Sequence, residues 1–310
     1  VLAFLLRRAL RAVLTLWIVV TFTFVVLRVT GDPALSLLPD DTPPQLVKAY
    51  LERWGVDRPL GEQYVGYVRD IARGEFGISF RDDRPALDHV LERIPKTLQL
   101  TGTALVIVLV LGLGAGISAG LYRGTPLDRA IMAFAVAGYS LPSFFLGLTL
   151  IFVFAVNLRV LPSSGSSTAW HLVLPAVTLG TTGAAVIARF TRSAVLEVMG
   201  QPFVRAARAK GLGRARLVLA HVLPNAAIPV VTVLGFGLGG LIGGSVITET
   251  VFAWPGVGRL LVTAVAGRDL NVVQIIVLML AVSMVLANFL VDVSYGLLNP
   301  RIRLVAREAS

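Results

Sequence analysis

The feature that most constrains this chain is a series of six apolar stretches, each about as long as a bilayer core is thick. They fall at residues 9–27, 98–121, 131–156, 172–190, 228–247 and 272–297. About 20 apolar residues in a helix cross the hydrocarbon core, and lipid leaves the backbone few other ways to satisfy its hydrogen bonds. The expected fold class is therefore all-α, a polytopic membrane protein with six transmembrane helices. Of 310 residues, 55% are hydrophobic and 15% charged, against about 25% charged in soluble domains. The mean hydropathy of +0.79 points the same way. Arg7, Arg8 and Arg11 look like the start of a signal peptide. The first stretch is long, however, and no small-x-small cleavage site follows it, so it reads as a retained anchor.

The chain is basic, with a formal charge of +10. Such a charge suits nucleic-acid binding or basic loops held on one side of a membrane, and its distribution decides. With the N-terminus inside, the inner segments carry Arg7, Arg8 and Arg11, then Arg123 and Arg129. Next come Arg189, Arg192, Arg205, Arg208, Lys210, Arg214 and Arg216, and last Arg301, Arg303 and Arg307. Those 15 basic residues face only Asp128, Glu197 and Glu308, a net of +12, whereas residues 31–96 hold 9 basic and 12 acidic residues, a net of −3. This segregation is the positive-inside pattern of an N-in, C-in topology, and no nucleic acid is needed to explain it. Cysteine is absent, which excludes disulfides and thiolate chemistry.

Gly112, Gly116 and Gly120 are spaced four apart, as are Gly235, Gly239 and Gly243. Small residues on one helix face allow close approach of a second backbone, for packing or for helix sliding. Asp292, Arg189 and Arg192 lie near expected inner ends of spans, where snorkelling or an ion pair accounts for them. Asn157, Gln274, Ser283 and Asn288 are polar positions on spans, facing either a pathway or a neighbouring helix. No acidic relay crosses the spans, which speaks against an ion-driven carrier. No paired Asp or Ser/His within spans suggests an intramembrane enzyme. His89, His171 and His221 are scattered and lack metal-ligand spacing.

The richest segment lies between the fourth and fifth stretches. Residues 204–210 form a short basic helix in this reading, closed by Gly211, a residue suited to a helix stop. A second amphipathic stretch runs to Leu223, and Pro224 marks the start of the fifth span. Charge alone fits a loop that merely fixes topology. The spacing says more. Ala206 and Ala207 are followed after three residues by Gly211, and Leu223-Pro224 comes after eleven more. This resembles the E-A-A, x3, G, x9, I, x, L-P loop of binding-protein-dependent ABC importers. Arg205 stands at the Glu position and His221 at the Ile position. GDP at 31–33, VDRPLGEQY at 56–64, GEFGIS at 74–79, SLPSFFLG at 140–147 and RFTRSAVLEV at 189–198 extend the resemblance. So do ETVFAWPGVGRLL at 249–261 and NPRIR at 299–303, where Asn299 replaces an expected Asp. Together they are similar to the first permease subunit of dipeptide, oligopeptide and nickel importers.

The resemblance implies an ABC type I importer transmembrane domain in a bacterial inner membrane. Its expected organisation is an anchor helix at 1–30, an extracytoplasmic region at 31–96, a permease core at 97–300 and a cytoplasmic tail at 301–310. Within the core, residues 195–227 would form the coupling loop. The implied partners are a second permease subunit, two cytoplasmic ATPase subunits and an extracytoplasmic binding protein. ATP and magnesium would sit on the ATPases and no cofactor on this chain. Independently, a P-loop needs a lysine after a glycine, and Lys48, Lys96 and Lys210 follow Val47, Pro95 and Ala209. The coupling residues implied are Arg205, Ala206, Ala207, Lys210, Gly211, Leu223 and Pro224. The 249–271 segment reads as a loop facing the binding protein. Within it Glu249, Trp254, Pro255 and Gly256 form either an outer gate or a packed re-entrant turn.

Overall fold

A computed structural model describes residues 2–29, 42–54, 57–79 and 81–298. The chain begins with α1 (Leu2–Val29), α2 (Pro44–Trp54) and α3 (Leu60–Arg73). Helix α4 (Ala86–Ile107) runs through a π-helical turn, Val108–Leu113, into α5 (Gly114–Leu121). Helices α6 (Pro126–Ser140) and α7 (Ser143–Leu150) follow, and α7 is extended by a second π-helical turn, Ile151–Asn157. A 3-10 turn, Ala169–Leu172, leads into α8 (Val173–Met199), and then comes the short α9 (Pro202–Ala209). Helix α10 (Arg214–Leu217) passes through a π-helical turn, Val218–Val222, into α11 (Leu223–Val251). Helices α12 (Val257–Ala266) and α13 (Leu270–Leu298) complete the chain.

By length and composition, five helical stretches among the described residues suffice to cross a membrane, and six if one bent pair counts as a single span. That pair is α6 and α7 with its extension, bent by 103°. The third apolar stretch is thus broken where an unbroken helix was expected at 131–156. The cause is local. Leu141 is extended, with φ −80° and ψ 126°, because the ring of Pro142 disfavours helical geometry in the residue before it. The second stretch begins at Ala86, well before 98, so part of the expected 31–96 region is helical. Large apolar side chains point outward on these helices, among them Leu10, Trp17, Phe22, Phe134 and Phe152, as a lipid-facing surface requires.

Two compact units can be described separately. One holds residues 1–95 and 260–283. In it α3 lies along α1. Phe24 meets Tyr64 edge-on at 5.3 Å and stacks on Tyr67 at 5.4 Å, and Thr21 Oγ1 and Tyr64 OH are 2.6 Å apart. Burial, with Tyr64 beside it, pushes the Tyr67 phenol up to about 12. A turn bridged between Ile78 and Pro85 is tied to the start of α13. There the Ser79 hydroxyl donates to Asp269, and Asn271 Nδ2 donates to the Ile78 carbonyl at 2.7 Å.

The other unit holds residues 96–259 and 284–310. Its centre is α8, packed against α4, α5, α6, α7 and α11. Glycine makes this possible on the α4–α5 side. A Cβ at Gly112 would lie 3.0 Å from the Ala184 carbonyl, and one at Gly116 would lie 2.6 Å from both the Ala188 carbonyl and Thr191 Cβ. At Gly120 it would lie 2.7 Å from Val195 Cγ1. This run packs as expected. Two members of the second run do not: a Cβ at Gly243 meets nothing within 4 Å, and at Gly239 only Met284, at 3.8 Å; Gly235 is buried.

Candidate functional site

Helix α9 forms because Gln201 is extended ahead of Pro202, whose ring presets the first helical φ. It therefore starts two residues before the expected 204. Val204 is fully buried in a cluster with Val195, Leu217 and Val222, and Ala207 packs against that cluster. Arg205, Ala206, Arg208, Lys210 and Gly211 are exposed. The structure thus separates the two alanines, with Ala206 facing out and Ala207 in. The helix ends on Gly211 at φ +78°. Gly211 N–H donates to the Arg208 carbonyl at 2.9 Å, and Leu212 N–H to the Ala207 carbonyl at 3.2 Å. These are the paired bonds of a Schellman ending. A Cβ at Gly211 would meet nothing within 4 Å, so backbone conformation alone calls for glycine there.

Leu223 packs on the same cluster. Pro224 does not open a new helix; helical structure is continuous from Arg214 to Val251. The π-helical turn just before Pro224 absorbs its missing N–H, and Asn225 Nδ2 donates to the His221 carbonyl at 2.7 Å. No acidic residue occurs from 198 to 248, so the outward face of α9 and the following turn is uniformly basic. Arg214 stacks over the Tyr122 ring at 5.1 Å.

Arg192 is the ion pair that was one of two readings of it. Its Nε and Nη2 donate to Asp128 Oδ1 and Oδ2 at 2.6 and 2.9 Å, and Gly124 N–H donates to the same carboxylate. Arg189 lies over the Tyr139 ring at 5.7 Å. The side chain of Asp292 and the 301–310 tail fall outside the described residues. Gln274, Ser283 and Asn288 are half-buried along α13, and Asn157 is exposed.

The 249–271 segment is mostly helical rather than a loop. Glu249 belongs to α11 and is fully buried. Its carboxylate accepts from the Thr97 hydroxyl at 2.8 Å and from Arg259 N–H at 3.0 Å. The Thr97 hydroxyl in turn accepts from Val257 N–H at 2.8 Å. Glu249 and Thr97 therefore cap the first turn of α12, whose first N–H groups have no partner within the helix. Trp254 is 1% exposed, and its indole N–H donates to the Lys96 carbonyl at 2.9 Å. Arg259 Nη1 donates to the Ala253 carbonyl at 2.7 Å. A Cβ at Gly256 would collide with the Glu249 carboxylate, and one at Gly258 with the backbone of Val246. Glu249, Trp254, Pro255 and Gly256 thus sit in one knot, with Trp254 packed inside rather than projecting. Thr97 was missed from sequence. It lies 152 residues from Glu249, and nothing local marks it.

Residues 112–304 match the family model described as binding-protein-dependent transport system inner membrane component. Residues 1–101 match the model for the N-terminal part of such membrane components. The chain belongs to this family. The permease is 41% identical over 301 residues to the glutathione transport system permease protein GsiC of Escherichia coli (strain K12), covering 97% of this chain and 98% of the relative. The GsiC of Shigella boydii serotype 4 is 40% identical over the same length. Among solved structures, the inward-facing MetNI methionine ABC transporter aligns with a TM-score of 0.60 at 24% identity. The match covers 69% of this chain and 98% of that one. An amino acid ABC transporter solved with histidines aligns at 0.54 and 17% identity, covering 68% and 94%. The chain is a transmembrane permease subunit of a binding-protein-dependent transport system, and permease subunits of this family are non-catalytic.

Proposed function

We propose that this permease spans the membrane six times with both termini inside, the bent α6–α7 pair counting as one span. The net of +12 on one set of segments against −3 on residues 31–96 supports that orientation. It works in a bacterial inner membrane with a second permease subunit, two cytoplasmic ATPase subunits and an extracytoplasmic binding protein. ATP and magnesium are held by the ATPases. Residues 1–30 act as the anchor and 31–96 face outward, with the permease core following to residue 300.

The coupling contact is the outward face of α9, formed by Arg205, Ala206, Lys210 and Gly211. Ala207 and Leu223 support it from beneath, with Pro224 exposed at the start of α11. The carrying observation is that α9 exposes one basic face and roots the other in the core through Val204. Motion of an ATPase against that face would reach α8 and α11. Single cysteines test this in the assembled transporter. Ala206→Cys should cross-link to an ATPase subunit and Ala207→Cys should not. Equal cross-linking at both positions, or none at 206, sinks the assignment.

The Glu249–Gly256 knot closes the outer end of the pathway as a rigid plug. A cysteine at Pro255 that cross-links to the binding protein only in one nucleotide state supports this, and state-independent or absent cross-linking refutes it. The cargo is a peptide or peptide-like solute, on the strength of the GsiC relatives. Thermal shifts of the cognate binding protein with glutathione and with dipeptides would check the class, and no shift with either would exclude it.

A further inference from the structure

A recess of about 260 Å³ opens among α4, α7, α8 and α11. Leu105, Val108, Leu179, Ile187, Val233 and Leu241 supply its walls. Among the described residues, two side-chain hydroxyls line it, those of Ser143 and Thr182. The Thr182 Oγ1 is buried and has no hydrogen-bond partner. Several other helical threonines bond the carbonyl four residues back, as Thr101, Thr149, Thr178 and Thr250 do; Thr191 on the same helix is also unpaired, but it does not line the recess. An unpaired buried hydroxyl is costly, and at Thr182 it sits on the wall of an otherwise apolar space.

The second observation concerns Gly237 and Gly240, which also line the recess. A Cβ at either would meet nothing within 4 Å, and neither has a positive φ. Within this chain, neither packing nor backbone conformation calls for glycine there, yet glycine in a helix interior is less stable than alanine. What the two glycines do is leave the recess open.

We propose that the recess binds a ring-sized apolar group bearing one hydrogen-bonding atom, presented by the transported solute. Thr182 Oγ1 is its polar anchor, and Gly237 and Gly240 keep its place clear. The inference rests on the permease reading above. The size fits: an apolar cavity of about 150 Å³ holds benzene, so this one admits a phenol or an indole. A lipid tail or an apolar side chain of a partner would fill the walls but leave Thr182 unpaired.

The test uses the assembled transporter in lipid nanodiscs, with phenol and toluene as probes read by ligand-observed NMR. Phenol should bind about 2- to 10-fold more tightly than toluene, the range one neutral hydrogen bond gives. Thr182→Val should level the two. Gly240→Leu should abolish both without lowering the thermal midpoint. Should that variant misassemble, Gly237→Ala with Gly240→Ala narrows the recess and must weaken phenol binding. The proposal is overturned when neither probe binds, when both bind alike to the wild type, or when phenol binding survives the filled recess. Absent binding with ATP hydrolysis intact sinks the recess alone. Failure to recover any ATPase with the chain would instead sink the permease reading.

Discussion

Helices α4–α5 and α11 carry glycines at the same four-residue spacing and use them for opposite purposes. In the first, Gly112, Gly116 and Gly120 let the backbone of α8 come into contact. In the second, a Cβ at Gly243 would have open space around it and one at Gly239 would meet only Met284, at 3.8 Å. Spacing alone puts glycines on one face of a helix; what stands opposite that face decides whether they weld or vacate. The contrast also separates two costs. A welding glycine cannot be replaced without moving a backbone, whereas a vacating one can be replaced with little effect on the fold.

The contrast is broken most sharply at Gly116. Its Cβ would press on the Ala188 carbonyl, which cannot rotate aside, so Gly116→Ala should cost about 1–3 kcal/mol and lower the thermal midpoint in detergent. Gly183 is the informative neighbour. A Cβ there lies 2.6 Å from Val108 Cγ2, a side chain rather than backbone. Gly183→Ala alone should destabilise by somewhat less, and Val108→Ala in the same chain should recover part of that loss. A double-mutant cycle with no coupling would contradict the geometry.

Gly211 tests a third use of glycine, conformation without contact. Gly211→Ala should cost about 1–2 kcal/mol through its left-handed backbone. It should also leave ATP hydrolysis running with reduced transport in proteoliposomes; unchanged transport would remove Gly211 from the coupling contact. The smallest effect belongs to Gly243→Ala, where a Cβ meets nothing within 4 Å, expected to be neutral or stabilising by up to about 1 kcal/mol. A marked loss of stability there would erase the distinction between the two runs.

Much of this fold is legible residue by residue, for reasons that differ by element. The apolar stretches announce helices because lipid admits little else. The close of α9 at Gly211 is legible because the left-handed ending is a local demand. The break after Ser140 is written in Pro142, but hydrophobicity continues straight through it and hides the bend. The alanines 206 and 207 look equivalent until Val204 fixes which way the helix faces. Glu249 and Thr97 form a pair no spacing could announce, since the cap of α12 is assembled from residues 152 apart. The 249–271 segment looked like a loop because its Trp-Pro-Gly turn dominates the pattern, while α12 beyond it is only ten residues long.

The buried root of α9 also has a mechanical meaning. A surface helix hung from flexible linkers would soak up a push as swivel. This one is pegged by Val204 into the valine and leucine layer shared by α8, α10 and α11, and its far end is locked by two backbone bonds. If it takes the push proposed above, it would act as the short arm of a crank, with little slack between a displacement at its outer face and the tilt of the long helices beneath.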